Sequence, residues 1–580
     1  MTAETKNCQN CKQNFTIESD DFDFYKKIDV PPPTFCTECR IQRRLTWRNE
    51  RTLHKRNCDL CNKSILTIYS SDKPRKVYCT QCWYSDKWSP LNYGREYDFN
   101  KPFFTQYDEL LESVPFLNLS LTSVENSDYC NYSLNLKNCY LLFGSWECEN
   151  SGYSQRVVRV KDAFDNLWLT QGELIYNSTY CTECNNISFS FDSHGCSDSK
   201  FLIHCRGCSN CFGCVNLRNK SYCIFDEQYS KEDYLEKMRS FDLGSFKNIQ
   251  EAQSKFNQSI TSSIRPANIF RNTVGSSGDL LRNCRNCKNC FLSNEGEDSA
   301  YSRLIEKNFK DCYDIWIAME NVEKCYELVA GGANDHGSKF GVTLYQGCFD
   351  LSYCYTCISS NNSFACASLR SKQYCILNKQ YTKEEYESLV PKIIKHMNDM
   401  PYVDKKGRTY RYGEFFPPEL SPFAYNETIA QEYFPLTKDQ AEAQGYRWKD
   451  PDTKEYTITV KPESLPDHVK DTTDDILKET IGCEHKGTCT HQCTTAFRII
   501  PEELSFYRRM NLPLPRLCPN CRHYERLAQR NPLKLWHRQC MCDKNNHNHQ
   551  GNCPNEFETS YSPERKEIVY CESCYSAEVV

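Results

Sequence analysis

Residues 196–223 read CSDSKFLIHCRGCSNCFGCVNLRNKSYC, and their cysteines indicate the fold of the central part of the chain. Cysteines 196, 205, 214 and 223 lie nine residues apart. The same spacing recurs in two other places, at Cys130, Cys139 and Cys148 and at Cys348, Cys357, Cys366 and Cys375. Nine is half of a coil of about eighteen residues, and short strand-like pieces between Asn, Ser and Gly turns suit a parallel β-helix. The sequence therefore predicts a mainly β protein with a central β-helix-like solenoid.

The predicted solenoid contains two tandem repeats. The segment CVNLRNKSYC at 214–223 matches CASLRSKQYC at 366–375, and the match continues from QYSKE at 228–232 to QYTKE at 380–384. Each repeat is expected to end in a helix, over Ser230 to Phe241 and over Thr382 to Met397, because the Ser or Thr can cap the first turn. These features predict one repeat over 116–250 and another over 251–398.

The cysteines inside the predicted solenoid have two interpretations. A buried thiol behaves as a small apolar side chain, so a ladder of stacked cysteines needs no metal. Two dense runs could instead hold zinc or an iron–sulfur cluster, namely Cys205, Cys208, Cys211 and Cys214, and Cys284, Cys287 and Cys290. Alternation along a strand would point several of these thiols to different faces, which favours the metal-free ladder.

The composition restricts the class of protein. The chain has 580 residues, 39 of them Cys, with 25% charged residues and a net charge of -5. An odd number of thiols cannot all pair within one monomer, and a chain of this length does not need disulfides in place of a core. No apolar run reaches the roughly 18 residues of a transmembrane helix, and the N-terminus lacks a signal peptide's apolar stretch. We expect a cytoplasmic protein without a membrane partner, whose cysteines are thiols or metal thiolates.

Paired cysteines near the N-terminus predict two zinc sites. Two CxxC…CxxC quartets lie within the first 82 residues, namely Cys8, Cys11, Cys36 and Cys39, then Cys58, Cys61, Cys79 and Cys82. Tetrahedral Zn²⁺ takes four thiolates, and each CxxC turn places two sulfurs on one side of the ion. Such closed sites are structural, and they leave no open position for a substrate water.

The C-terminus carries a second copy of these modules. FYKKIDVPPPTFCTECR at 24–40 matches FYRRMNLPLPRLCPNCR at 506–522 without a gap, at an offset of 482 residues. This register predicts a third quartet and leaves Cys483 unassigned. The quartet is Cys489, Cys493, Cys518 and Cys521. A fourth contains Cys553, Cys571 and Cys574 together with either Cys540 or Cys542. We therefore expect about four Zn²⁺ per chain.

The two kinds of module have different local signals. In sites one and three the second cysteine pair runs directly into an Arg-rich segment without Gly, which predicts a helix and a treble clef. Sites two and four have strand-like stretches before their second pair, which is typical of a zinc ribbon. Treble-clef-like modules are thus expected at 1–57 and 483–539, and zinc ribbons at 58–115 and 540–580. The connector at 399–482 is rich in Pro, and Thr437 with Gln440 predicts a capped helix there.

Two Arg-rich segments follow the second cysteine pair of sites one and three. Residues four apart share a helix face, and two such series are present, namely Arg40, Arg44, Arg48 and Arg56, and Arg522, Arg526, Arg530 and Arg538. Guanidinium groups suit phosphate oxygens, and rings such as Trp47 and Trp536 could stack on bases. These eight arginines are the predicted nucleic-acid contacts, with RNA favoured. The alternatives are a solvated helix face, or arginines paired with acids of the central block.

Four segments carry a resemblance to a known family. FYKKIDVPPPTFCTECRIQRR, FYRRMNLPLPRLCPNCRHYER, NLRNKSYCIFDEQYSKEDY and FETSYSPERKEIVYCESCY resemble an uncharacterised bacterial family of large zinc-ribbon proteins with a Cys-rich central repeat region. The resemblance covers most of the chain. It implies zinc binding, but no activity, substrate or partner.

These features predict a zinc-binding scaffold without enzymatic activity. Its expected partner is RNA or a ribonucleoprotein, bound by the Arg-rich helices beside the zinc sites. A second hypothesis is a protein–protein scaffold that uses the aromatic-rich face of the solenoid. A third is an enzyme acting on a polymer that lies along the β-helix groove.

Overall fold

The computed structural model describes residues 2–450 and 456–579. Met1 and Val580 of the predicted terminal modules, and residues 451–455 of the predicted connector, lie outside the described residues. Within the described ranges the protein is mainly β, and α-helices lie between its strands along the chain. No helix of the described residues is both long and apolar enough to cross a membrane.

A ten-stranded, mostly parallel sheet occupies the first predicted repeat. Its strands follow each other in chain order, and only the final hairpin is antiparallel. They are Leu121–Glu125, Ser133–Lys137, Trp146–Glu149, Gln155–Phe164, Leu167–Tyr176, Thr182–Ser188, Ser197–Ile203, Ser209–Val215, Ser221–Ile224 and Glu227–Gln228.

Parallel neighbours in this sheet pair residues that are twelve apart in the chain. Gln155 pairs with Leu167, and Ser197 pairs with Ser209. The expected coil of about eighteen residues is therefore wrong, and the advance per strand is twelve. Buried side chains recur at every third residue, as at Cys139, so the nine-residue cysteine spacing is three of these steps.

Every third residue of the same region also has a positive φ. Such a backbone is costly for most L-residues, and Asn and Asp tolerate it best among the non-glycine types. Asn135, Asn138 and Asn150 are examples, and Gly144 and Gly195 occupy the same kind of position. The frequent Asn, Asp and Gly of this region are thus required by its repeated bends.

The second predicted repeat forms a seven-stranded and a four-stranded sheet. The pairing distance here is less regular, since Gly278 pairs with Cys290 twelve residues on but Trp316 pairs with Val329 thirteen residues on. The strands are Phe270–Arg271, Gly278–Arg282, Cys290–Asn294, Gly296–Glu297, Arg303–Lys310, Trp316–Glu323 and Val329–Gly331, then Phe349–Ser352, Asn361–Phe364, Cys375–Ile376 and Lys379–Gln380.

Cysteines fill the interior of both repeats beside Leu, Ile and Val. The dense run considered for a cluster has backbone partners, since the thiols of Cys205, Cys208 and Cys211 each donate to the carbonyl two residues earlier at 3.4–3.5 Å. Each buried thiol is thus hydrogen-bonded without a metal. This contact supports the metal-free ladder.

The helices begin where the sequence signals place them. Ser230 caps Lys231–Phe241, Thr382 caps Lys383–Asp399 and Thr437 caps Lys438–Ala443, which confirms these three predictions. The remaining α-helices are Ser19–Lys27, Thr37–Leu45, Thr80–Trp83, Phe103–Ser113, Phe246–Ser262, Ala430–Tyr433, Pro501–Met510, Pro519–Ala528 and Glu572–Val579. Short 3₁₀ turns lie at Pro90–Tyr93, Pro418–Leu420, Tyr425–Glu427, Pro462–Ser464, Val469–Asp471 and Asp474–Lys478.

Short two-stranded pairs complete the fold. The parallel pair of Ile264–Pro266 with Ile568–Tyr570 joins the C-terminal module to the second repeat. The other pairs are Glu4–Asn7 with Asn14–Ile17, His54–Asn57 with Ser64–Thr67, Val77–Tyr78 with Phe116–Leu117, Tyr402–Val403 with Thr409–Tyr410, Ile481–Gly482 with Ala496–Phe497, and Trp536–Gln539 with Glu556–Thr559.

The part of the connector before residue 451 packs on the N-terminal module. Phe416 lies against Trp47 with ring centroids 5.0 Å apart, and Glu414 accepts a hydrogen bond from Arg43 at 2.8 Å. Both side chains of each contact are buried. In the later part of the connector, Leu465 and Asp474 contact Arg516 and Arg508 of the C-terminal module. The connector therefore extends the core rather than acting as a free linker.

Candidate metal centres

Four modules share one arrangement of hairpin, cysteines and helix. In each, a cysteine directly follows the first strand of a short antiparallel hairpin. A later cysteine is the N-cap of a helix, as Cys36 is for Thr37–Leu45 and Cys518 is for Pro519–Ala528. This confirms that a helix begins at the second cysteine pair of sites one and three.

One hydrogen bond recurs in all four modules. The backbone N–H of the N-capping cysteine donates to the sulfur of the cysteine that follows the hairpin strand. The pairs are Cys36 with Cys8 at 3.2 Å, Cys79 with Cys58 at 3.2 Å, Cys518 with Cys483 at 3.3 Å and Cys571 with Cys540 at 3.1 Å. Amide donors stabilise a thiolate, which is the form that binds metal.

The sulfur atoms of each module converge on one point. The quartets, with all ligand atoms within 4.8 Å of one another, are Cys8, Cys11, Cys36 and Cys39; Cys58, Cys61, Cys79 and Cys82; Cys483, Cys493, Cys518 and Cys521; and Cys540, Cys553, Cys571 and Cys574. The sulfur–sulfur distances in hydrogen-bond range are 3.7–4.0 Å. Four thiolates about 2.3 Å from a tetrahedral zinc lie about 3.8 Å apart, whereas disulfide sulfurs lie about 2.05 Å apart. The geometry fits a metal ion.

One thiol in each N-terminal quartet has a lowered pKa, while hydrogen bonding to Cys36 raises the pKa of Cys39 and burial raises that of Cys82. Burial raises the pKa of Cys58, but the backbone amides of Cys79 and Cys61 outweigh it and lower the pKa to about 7. Hydrogen bonds from the thiols of Cys36 and Cys39 hold the pKa of Cys8 far below its usual range. Each N-terminal quartet therefore has a member that ionises readily.

The third quartet differs from the predicted set in one member. Cys483, which the 482-residue register leaves unassigned, occupies the first position, and Cys489 lies beside the quartet. The register carries Cys8 onto Thr490 because it ignores an insertion between Cys483 and Cys493. The signal that sequence reasoning missed is the position of Cys483 directly after a hairpin strand.

The fourth quartet is completed by Cys540 rather than by Cys542. Cys540 follows the strand Trp536–Gln539 directly, as the first cysteine does in the other modules. Cys542 is fully buried next to the quartet, and its sulfur lies 3.0 Å from Nδ1 of His547.

The arginines of the N-terminal helix are buried in ion pairs. Arg40 and Arg44 both contact Asp314 of the second sheet, at 2.9 Å and 3.1 Å. Arg48 lies 2.5 Å from Glu50 and stacks on the ring of Tyr132. None of these three side chains is more than 4% exposed. They are therefore not available to phosphate in this structure, contrary to the predicted nucleic-acid contact.

The C-terminal copy repeats this arrangement on the first sheet. Arg522 and Arg526 both contact Asp165, at 2.6 Å and 3.0 Å, and all three side chains are buried. Arg522 also lies 3.2 Å from Glu503. The observed arrangement is the alternative weighed from the sequence, in which the arginines pair with acids of the central block.

Arg48 and the other three predicted contacts lie beyond the ends of these helices. The first helix ends at Leu45 and the second at Ala528, before Pro532, so neither series forms one continuous ridge. Arg530 stacks on the ring of Tyr433 at 4.3 Å. The other two lie in hairpin strands, where Arg56 pairs with Asp59 at 3.0 Å and Arg538 donates to the carbonyl of Ser562 at 3.3 Å.

The two central repeats also enclose a cleft. A cavity of about 460 Å³ is lined by Trp146, Trp168 and Arg159 from the first sheet and by Arg282 and Lys307 from the second. The two tryptophans are partly exposed, and the three cationic side chains are exposed. Aromatic and cationic groups thus face the same space, together with the carboxylates of Glu147, Glu306 and Glu320.

A buried polar network lies at one end of this cleft. The carboxylate of Asp192 contacts Nε2 of His194 at 2.8 Å, Nδ1 of His204 at 2.7 Å and Arg206 at 2.7 Å. Burial lowers the pKa of His194 to about 4, despite the opposing effect of Asp192. In the sequence these residues look like scattered acids and lone histidines. Only the twelve-residue pairing distance of the strands brings positions 192 and 204 side by side.

Comparisons with known proteins add little to this description. No protein-family model matches the chain, and no curated protein matches it. Among solved structures, the UDP-N-acetylglucosamine acyltransferase from Campylobacter jejuni is similar at 9% identity, over 51% of this chain and 100% of that chain, with a TM-score of 0.08. A likeness of this size carries no argument about fold or activity.

Proposed function

We propose that the protein is a zinc-dependent, non-enzymatic scaffold whose terminal modules clamp the two central repeats together. The observation that carries the proposal is the pair of equivalent interfaces centred on Asp165 and Asp314. At each, two arginines of a helix that begins at a zinc-ligand cysteine converge on one buried aspartate of a sheet. The predicted cationic ridges thus serve internal assembly.

The two interfaces correspond residue by residue. Phe24 stacks on Tyr313, which precedes Asp314, and Phe506 packs on Phe164, which precedes Asp165. Through these contacts the module at 1–57 docks on the second repeat and the module at 483–539 docks on the first. This crossed docking supports a role in holding the whole chain in one shape.

The central region is proposed to be a solenoid with twelve-residue coils in its first repeat. Support comes from the constant twelve-residue pairing, which includes isolated bridges such as Asn131 with Phe143 and Leu167 with Thr179. A bend at every third residue would give each coil four short sides. Such a stack buries one continuous core and offers a rigid surface.

Zinc is proposed to fold the modules that make these contacts. A module built on a two-stranded hairpin and one short helix has little core of its own, so metal binding supplies its folding energy. The closed four-cysteine sites leave no ligand position for a substrate water, which supports a structural role.

Hydrogen exchange on the full-length protein tests the clamp. Zinc removal by a chelator should increase exchange in the helices Thr37–Leu45 and Pro519–Ala528 and around Asp165 and Asp314, and zinc return should reverse this. The strands between residues 167 and 215 should stay protected, because the inner cluster of side chains between them contains no quartet cysteine. Unchanged exchange at both interfaces in zinc-free protein would refute the clamp.

Nucleic-acid binding in the central cleft is a second candidate function. The observation that favours it is the meeting of Trp146 and Trp168 with Arg159, Arg282 and Lys307 in one cavity. Stacking rings beside cationic groups suit single-stranded nucleic acid. In this version of the RNA hypothesis, the contacts lie in the cleft and not on the zinc-module helices.

Salt-dependent binding of single-stranded RNA tests the second candidate. Arg159→Glu with Arg282→Glu should weaken binding and lower the salt slope by about one for each lost phosphate contact. Lys231→Glu with Arg239→Glu, both exposed on the helix Lys231–Phe241, reverses the same number of charges and is the control that should change neither. Wild-type protein that is zinc-loaded but shows no salt-sensitive RNA binding would leave a protein partner as the better hypothesis.

A further inference from the structure

Both C-terminal zinc modules contain an insertion that the N-terminal modules lack. The first two cysteines of the quartet are a CxxC in the N-terminal modules, but they are separated by nine residues at Cys483 and Cys493 and by twelve at Cys540 and Cys553. Each insertion carries one cysteine and two histidines. Together they hold four of the chain's 12 histidines, namely His485, His491, His547 and His549.

In the first insertion these side chains gather around a quartet sulfur. His485, Cys489, His491 and Cys521 form a group whose ligand atoms lie within 4.8 Å of one another. The Cys489 sulfur is 3.7 Å from that of Cys521, and the Cys521 sulfur is 3.8 Å from that of Cys483. Cys521 therefore faces the quartet on one side and the inserted group on the other.

Two histidine nitrogens of this group lack hydrogen-bond partners. Nδ1 of His485 and Nδ1 of His491 are buried, and neither has a partner among the described residues. A buried polar nitrogen without a partner is costly, and metal coordination would satisfy it. Both nitrogens are therefore available as metal ligands beside the Cys489 and Cys521 sulfurs.

The second insertion builds the same kind of group in the other module. The Cys542 sulfur is 3.0 Å from Nδ1 of His547, and the Cys574 sulfur is 3.4 Å from Nε2 of His549. A sulfur and a nitrogen on one tetrahedral zinc lie about 3.6 Å apart. The Cys574 sulfur is also 3.7 Å from that of Cys553, so it too faces both groups.

The two groups correspond position by position. Cys521 and Cys574 are each the last cysteine of a quartet. A glutamate lies four residues after each of these cysteines, and its carboxylate faces Nε2 of a histidine. Glu525 is 3.9 Å from His485, and Glu578 is 3.0 Å from His547. A carboxylate behind a histidine is the usual second partner of a metal-bound imidazole. In the first N-terminal module the equivalent position is Arg43.

We propose that each C-terminal module holds two zinc ions that share one cysteine sulfur. The second ion of the first module is bound by His485, Cys489, His491 and Cys521, and that of the second module by Cys542, His547, His549 and Cys574. The proposal rests on zinc in the adjoining quartets, which the proposed function supplies. The chain then binds six ions, four in the C-terminal modules and two in the N-terminal ones.

Native mass spectrometry of the zinc-loaded full chain counts the ions directly. The wild-type protein should carry six. Cys489→Ser with His491→Asn should carry five, and the further changes Cys542→Ser with His549→Asn should leave four. The bridging cysteines are untouched, so the quartets keep all their ligands.

The matched control is His537→Asn, an exposed histidine on the hairpin of the fourth module, which should keep six ions. Because Cys542 is fully buried, His549→Asn alone is the second variant if the double change fails to fold. Cadmium-113 NMR of the wild-type protein gives an independent readout, since a shared sulfur couples two cadmium signals, and two coupled pairs are expected.

The ion counts distinguish a failure of the shared-sulfur sites from a failure of the four quartets. A wild-type count of four that the inserted-residue variants do not change, with no coupled cadmium pair, would overturn the shared-sulfur sites and leave the four quartets intact. A count below four would overturn the quartets themselves. A count of six that stays at six in both variants would also refute the assignment of these histidines and cysteines.

Discussion

The substitution Asp165→Asn tests the clamp at its central ion pair. The Asp165 side chain is 1% exposed, and its oxygens lie 2.6 Å from Arg522 and 3.0 Å from Arg526. Asparagine keeps the shape but leaves two buried guanidinium groups against a neutral side chain. Removing one partner of a buried pair costs about 3–5 kcal/mol. Since Arg522 keeps Glu503 at 3.2 Å, we expect the lower end of this range.

Asp162→Asn is the matched control at the edge of the same interface. Asp162 pairs with Arg509 at 3.0 Å, and the arginine side chain is 49% exposed. An exposed pair contributes at most about 1 kcal/mol. The two variants remove the same charge three residues apart, so they differ mainly in the burial of the partner.

Urea unfolding followed by hydrogen exchange in the helix Pro519–Ala528 measures both variants. We expect Asp165→Asn to lower the free energy of unfolding of this region by about 3 kcal/mol, with the zinc content unchanged. If Asp165→Asn costs no more than Asp162→Asn, the buried aspartate does not hold the module, and the clamp interpretation fails.

Three further predictions concern single modules and side chains. Cys36→Ser leaves three thiolates in the first quartet, so the N-terminal module should lose zinc and become sensitive to protease. The first sheet should stay resistant, and equal cleavage within residues 167–215 would show that the module and the sheet do not unfold independently. Burial raises the pKa of Glu306 to about 7, so the ionised carboxylate destabilises the fold increasingly as pH rises from about 4.5 to 7. Glu306→Gln should therefore raise the free energy of unfolding at pH 8 by at most about 3 kcal/mol and should not raise it at pH 4. Thermal unfolding measures this, with the exposed Glu320→Gln as the control. Thr382→Ala removes the capping hydrogen bond to Glu385 and should cost about 1 kcal/mol, seen as faster exchange in the first turn of Lys383–Asp399.

The four-cysteine groups could be predicted because their signals are local. Cys8 and Cys11 lie within one turn, and Cys36 is followed by a helical segment, so spacing alone specifies the ligand set. Spacing does not identify Cys483, because nine residues separate it from Cys493. Cys489 and Cys493 form a CxxxC, which is closer to the CxxC of the N-terminal modules. Only the hairpin strand Ile481–Gly482, which directly precedes Cys483, identifies it.

The twelve-residue pairing distance is hidden in the sequence for a different reason. Inward positions recur every third residue, but Leu142, Ser145 and Leu202 occupy them as well as cysteine. Cysteine alone therefore marks a multiple of the true step. The positive φ at the bends is shared by Asn, Asp, Gly and even Tyr residues, so no single residue type shows the period.

The role of the arginines could not be inferred from sequence, because their partners are distant. Arg526 and Asp165 are 361 residues apart, and Arg44 and Asp314 are 270 apart. Many acids of the central region were equally plausible partners. Local charge density predicted an external ligand, whereas burial assigns these charges to the interior.

The crossed docking has a consequence for the order of events during synthesis. Arg44 leaves the ribosome 270 residues before Asp314. At a translation rate of about 5–20 residues per second this interval lasts roughly 15 to 50 s. The C-terminal helix has no such delay, since Asp165 is made 361 residues before Arg526. The nascent N-terminal module must therefore expose Arg40, Arg43 and Arg44 until the sheet of the second repeat has been made. A cationic surface that is buried in the finished protein is thus open to chaperones or ribosomal RNA while the chain grows.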